Sequence, residues 1–151
     1  MKIRKTAAAI LGFVAICLVY SEPRAQDASR SVWDGVFSEE QAKRGRETYG
    51  RECSKCHGND LTGLDEAPAL SGGAFLANWD GLTVGDLLER VRISMPPNKP
   101  GRLNREQIAD VLAHVLNVNG FPVGKTELEP KTEVLKQIRI VAAKPKTKSG
   151  L

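Results

Sequence analysis

Two thiols and an imidazole at fixed spacing form the most reactive grouping in this chain: Cys53-Ser54-Lys55-Cys56-His57. A Cys-x-x-Cys-His pentad is the signature of covalent haem attachment. Thiols at this spacing can each bond one vinyl group of the same porphyrin. The adjacent His is then carried under the iron, where an imidazole nitrogen can ligate it. A zinc site would need further ligands at metal spacing. A redox Cys-x-x-Cys pair would need a βαβ setting, and none is legible around it. His57 is therefore the expected proximal ligand. The expected cofactor is one covalently bound haem c, since the pentad occurs once.

The sixth iron position needs a second donor. Met95 is the only methionine after the initiator. A lone Met commonly fills core gaps, but this one follows a helical pattern and is pinned by Pro96 and Pro97. Its thioether could be held rigidly over iron, where a soft ligand raises the reduction potential. His114 as ligand would give a lower potential, yet it falls in mid-helix, where packing explains it better. An open sixth position would instead permit gas binding or peroxidase chemistry.

These residues must be positioned by short helices. Ser38-Glu39-Glu40-Gln41 reads as a capping box opening a helix that runs to about Arg51 and delivers Cys53. Gly45 and Tyr49 are four apart and share a face of it. From Gly58 to Gly81 the chain reads as loop-rich, because Gly58, Gly63, Pro68, Gly72, Gly73 and Gly81 break any long element. Thr83 with Asp86 caps a second helix carrying Val84, Leu87, Leu88 and Val91, which Met95-Pro96-Pro97 ends. Asn104 with Gln107 caps a third, striped by Ile108, Val111, Leu112, Val115 and Leu116 and stopped at Asn119-Gly120. Between Pro130 and Pro145, Thr132 to Ala143 reads as a short helix, with an extended arm as the alternative. No strand alternation or internal repeat is legible. The class is all-α, with three to five short helices wrapped around one haem. So small a body buries little apolar surface, and a covalent haem would serve as a piece of its core.

The chain ends carry a different signal. Lys2, Arg4 and Lys5 precede an apolar run from Ala7 to Tyr20 and a polar, Pro-containing stretch, the layout of a secretory signal peptide. The run is short for a bilayer span, which takes about 20 residues. Cys17 lies within it and leaves with the leader, so no disulfide framework competes for the pentad thiols. The division expected is a signal peptide at 1–25, an N-terminal extension at 26–37, a haem domain at 38–120 and a C-terminal extension with a basic tail at 121–151. The net charge of +4 comes from the ends. Residues 26–130 hold 12 basic against 16 acidic residues, so no nucleic-acid footprint is expected.

Over about residues 36–120 these motifs resemble the class I c-type cytochromes, specifically small exported monohaem members with His and Met ligands. The resemblance implies that Gly45 and Tyr49 belong to a first helix crossing the last helix closely. Val111 and His114 stand where the family has an apolar residue and an aromatic. Pro68-Ala69-Leu70 resembles the family's Pro-x-Leu turn, whose Pro carbonyl accepts a hydrogen bond from the proximal His and raises its basicity. It also implies that Leu70 and Trp79 border the haem pocket, Trp79 either donating to a propionate or covering the haem edge.

The function implied is a periplasmic one-electron carrier and not an enzyme in itself. It would take electrons from a periplasmic dehydrogenase and pass them toward a terminal oxidase or another cytochrome. A cytochrome subunit of a quinoprotein dehydrogenase or of a thiosulfate-oxidising system is the alternative; a haem sensor or peroxidase ranks lower. The protein alone is expected to be a monomer, touching a membrane only if the leader stays uncleaved.

Overall fold

The computed structural model of the protein describes residues 30–65 and 67–145. The expected leader at 1–25, with Cys17, lies outside the described residues, as do Lys146 and Lys148 of the basic tail. The order of elements is β1 (Arg30–Ser31), a 3-10 turn (Val32–Asp34), α1 (Glu39–Glu52), α2 (Ser54–His57), α3 (Gly72–Trp79), α4 (Val84–Ser94), α5 (Arg105–Val118), α6 (Thr132–Leu135) and β2 (Ile138–Arg139). Four of these helices are substantial, and the architecture is the all-α one expected.

Helices α1 and α5 form the principal crossing. It is close because Gly45 has no side chain: a Cβ there would lie 1.8 Å from the carbonyl oxygen of Asp110. Above this contact the Tyr49 ring meets the His114 imidazole edge-on, 5.4 Å between centroids. Arg44 flanks the crossing, paired with Asp110 at 3.0 Å and Glu127 at 2.8 Å. The core beneath is continuous and includes Phe37, Leu61, Phe75, Leu88, Ile108, Leu112, Leu116, Leu135 and Ile140.

The caps at Thr83/Asp86 and Asn104/Gln107 are reciprocal, as the sequence indicates. The one at Ser38 is one-sided. Ser38 Oγ accepts from the Gln41 N–H at 3.0 Å, but the Gln41 side chain turns inward. Its Nε2 donates to the Leu128 carbonyl at 3.1 Å and its Oε1 accepts from the Leu128 N–H at 2.8 Å. A primary amide can present an N–H and a C=O together to one peptide unit, and that pairing outcompetes the box.

Two segments differ from expectation. The stretch from Gly58 to Gly81 holds an eight-residue helix, α3. Its glycines stand at the first turn and beyond the end, where they interrupt nothing, while Ala74 to Trp79 are unbroken and bury Phe75. The 132–143 segment, in turn, is both of its alternatives in succession: α6 and then an arm. The arm's β2 pairs parallel with β1, Arg30 against Ile138 and Ser31 against Arg139. On its other side Ile140 exchanges bonds with the α3–α4 connection, donating to Leu82 O at 2.8 Å and accepting from Gly81 N at 2.9 Å.

The segments flanking 38–120 thus pack into the body. Val32, Val36, Phe37, Phe121, Leu128, Leu135 and Ile138 are all buried. The Trp33 indole donates to the Val141 carbonyl at 2.8 Å, and its ring meets Phe121 edge-on at 4.9 Å. Helix α4 is clasped from outside: a Cβ on Gly85 would lie 2.7 Å from the Lys136 nitrogen. Glu89 of α4 binds Arg92, Arg105 and the Thr132 hydroxyl at 2.7, 3.2 and 2.5 Å.

Candidate haem-attachment site

The pentad begins where α1 ends. Cys53 is at once the C-cap of α1, its N–H bonded to the Tyr49 carbonyl at 2.8 Å, and the N-cap of α2. Its φ of −121° breaks the helical path, so the thiols at 53 and 56 lie on one new turn. Cys53 is half-buried and Cys56 exposed, both as free thiols. Burial pushes the Cys53 thiol up to about 11, with Glu52 and then Cys56 adding to the shift.

His57 ends α2 and is buried. Its Nδ1 lies 2.8 Å from the Pro68 carbonyl oxygen. A carbonyl only accepts, so Nδ1 carries the proton, and in the neutral ring Nε2 keeps its lone pair for a metal. The loop 58–70 that supplies this carbonyl is closed by Gly63 N–H to His57 O at 2.9 Å and by Leu70 N–H to Leu61 O at 2.7 Å. Gly63 has φ +83°, and a Cβ there would lie 2.6 Å from Ala67 O. Only glycine fits that bend.

Two positioning side chains were not legible from the sequence as such. Tyr49, read there as a packing residue, donates its phenol to the Gly58 carbonyl at 2.7 Å. Burial raises its pKa to about 12, keeping it a donor. Asn119, read only as a helix stop, bridges α5 to the far end of the loop. It donates to Leu70 O at 3.0 Å and Val115 O at 2.8 Å, and accepts from Gly72 N at 3.0 Å. The clue for Tyr49 was its place on one helix face with Gly45, where a phenol that becomes buried seeks a partner; for Asn119 there was none.

Met95 is the C-cap of α4, half-buried, with extended backbone and its N–H bonded to Val91 O at 2.8 Å. The Met95–Pro96 peptide is cis. Trp79 ends α3, half-buried and tilted against Phe75 at 6.4 Å, and Leu70 packs partly on the core. His114 lies inside the α1/α5 crossing, its pKa lowered by burial and then by Arg46. That is a packing environment.

The donor set suits a porphyrin: two thiols on one turn, an imidazole with Nε2 free, and a thioether at a helix end. Among the described residues, three of the five large apolar side chains left exposed lie near these donors in the chain: Leu64 in the loop after His57, Leu82 after α3, and Ile93 two positions before Met95. No cluster of three or more His, Cys, Asp or Glu fit to hold a metal exists among the described residues.

Residues 40–115 match the family described as cytochrome c oxidase, cbb3-type, subunit III. The chain belongs to this cytochrome c family. As a cytochrome c domain it is an electron-transfer module, and its pentad implies haem c. Among solved structures, a chain from the crystal structure of the sulfane dehydrogenase SoxCD from Paracoccus pantotrophus is similar at 21% identity, with a TM-score of 0.47. The match covers 71% of this chain and 61% of that one. No curated protein matches significantly. Among the described residues no helix is long and apolar enough to cross a membrane.

Proposed function

We propose that this cytochrome c domain is an exported one-electron carrier with a single haem c held by Cys53 and Cys56 and ligated by His57 and Met95. Each thiol would add its S–H across one vinyl group, forming a C–S bond with no electrons exchanged. The group supplies the Fe(III)/Fe(II) couple; the chain's own residues hold and tune it. The observation that carries the reading is the His57 Nδ1 contact with Pro68 O, which orients the ring and leaves Nε2 for iron. Electron density pushed from the Pro68 carbonyl makes the imidazole a stronger donor. Met95, at the end of α4, would supply the second donor, a soft thioether that would favour the ferrous state. With His57 and Met95 both holding the group, no position would be left for a substrate, and the chemistry it would supply is one-electron transfer. Trp79 and Leu70 would border the ring. The partners proposed are a periplasmic dehydrogenase as donor and an oxidase or second cytochrome as acceptor, docking through a small, transient interface.

A second reading, a cytochrome subunit within an oxidoreductase complex, is favoured by the family's description as an oxidase subunit. Purification from the native host separates the two: a subunit elutes with its complex, a carrier alone. The ligand assignment is tested by Met95→Ala. The haem should stay attached, the far-red Met–iron charge-transfer band of the ferric protein should vanish, and the potential should fall. An unchanged potential would remove Met95 from the iron.

A further inference from the structure

Segment 96–103 connects Met95 to the α5 cap at Asn104. Among the described residues its backbone bonds close turns within itself: Lys99 N–H to Pro96 O at 2.9 Å and Arg102 N–H to Lys99 O at 3.3 Å. Its buried side chain is Leu103. Among the described residues one ion pair reaches outward: Arg102 Nη2 lies 3.1 Å from Glu52 Oε1. Glu52 is the last residue of α1, immediately before Cys53. A carboxylate in the last turn opposes the helix dipole, which favours cations there. Its side chain is also only 15% exposed, so water compensates it little. The local helix gives no reason for an acid at this position. The guanidinium of Arg102 does.

We propose that the Glu52–Arg102 ion pair is a latch that positions Met95, fastening the segment behind the sixth ligand to the helix that presents the first attachment thiol. This rests on the assignment of Met95 as ligand. Without the latch the segment is held by Leu103 and its own turns. Met95 then leaves the iron more often, and an external ligand enters faster. Glu52 and Arg102 are positioning residues acting through Met95.

The test uses the haem-loaded ferric protein and imidazole as the entering ligand, followed by stopped flow and by the far-red band. Arg102→Gln and Glu52→Gln should each speed imidazole entry roughly two- to fivefold, the range open to a partly exposed ion pair. The double variant should be no faster than either single one, and Arg102→Lys should keep most of the wild-type behaviour. Lys99→Gln, which removes the same charge from the same segment, should leave the rate unchanged. A merely structural pair would lower the urea midpoint and leave the imidazole rate alone, and that result rejects the latch. Equal rates in Arg102→Gln and Lys99→Gln also reject it, while an intact wild-type far-red band keeps Met95 as ligand. A wild type without that band overturns the Met95 assignment and the latch with it.

Discussion

His57 is held by bonds that converge from several elements, whereas Met95 heads a segment that bonds chiefly to itself. On the His57 side, Tyr49 of α1 ties down Gly58, the Pro68 carbonyl fixes the ring, and Asn119 of α5 clamps the loop at Leu70 and Gly72. On the Met95 side, α4 is braced from outside through Gly85 and Glu89, but beyond the helix end, among the described residues, one ion pair crosses to the rest of the fold. The difference teaches where exchange can occur. Of the two proposed ligands, the one with many supports should stay put, and the one on a weakly tethered segment is the one that can leave.

The largest effect should come from the crossing on which the His57 side is built. Gly45→Ala would ordinarily favour a helix by about 1 kcal/mol. Here the new methyl meets the Asp110 carbonyl, so the helices must part at a cost of about 3 kcal/mol or more. Urea unfolding of the haem-loaded variant measures it, and an unchanged midpoint would mean that α1 and α5 do not touch at this point.

Tyr49→Phe leaves the Gly58 carbonyl without its phenol donor, for about 1–3 kcal/mol. The same unfolding measurement checks this, and the potential should move as His57 loosens. Asn119→Ala should cost about 1–2 kcal/mol and lower the ring's order. NMR of the His57 Nδ1 proton, expected to exchange faster than in wild type, separates that effect from general destabilisation. If the Nδ1 proton exchanged at the wild-type rate, the clamp would not bear on His57.

The smallest effect concerns the helix that ends at Met95. Thr132 and Arg92 hold the Glu89 carboxyl down from 4.5 to about 2. A depressed folded-state value means that the stabilisation is present above the unfolded pKa and disappears as pH falls through the folded one. Wild-type stability should therefore decline from about pH 4.5 to about pH 2, and Glu89→Gln should flatten that decline. Acid titration of the unfolding midpoint reads it; parallel curves would show that Glu89 carries no such weight.

Much of the proposed site could be named from the sequence because its parts are local. The pentad, the caps at Thr83 and Asn104 and the proline stop after Met95 act within one turn of chain, so spacing reveals them. Helix α3 escaped because its glycines sit at its ends, where punctuation and helix coexist. Gln41 was misread for a different reason: its better partner, Leu128, is a peptide group far along the chain. The two-residue strands were invisible, since β1 and β2 are too short to alternate and meet only across the folded body.

The sequence alone carried the proposed chemistry: two thiols and an imidazole at a spacing set by covalent geometry, with the Met95 thioether as the further proposed donor. It determined the class as well, because three capped amphipathic stripes leave few alternatives. Tertiary structure alone decided which carbonyl meets His57, which phenol and amide brace its loop, and that the arm at 138–140 seals the α3–α4 connection against β1. Such pairings join residues remote in the chain, and only packing selects among the many partners that a buried polar group could satisfy.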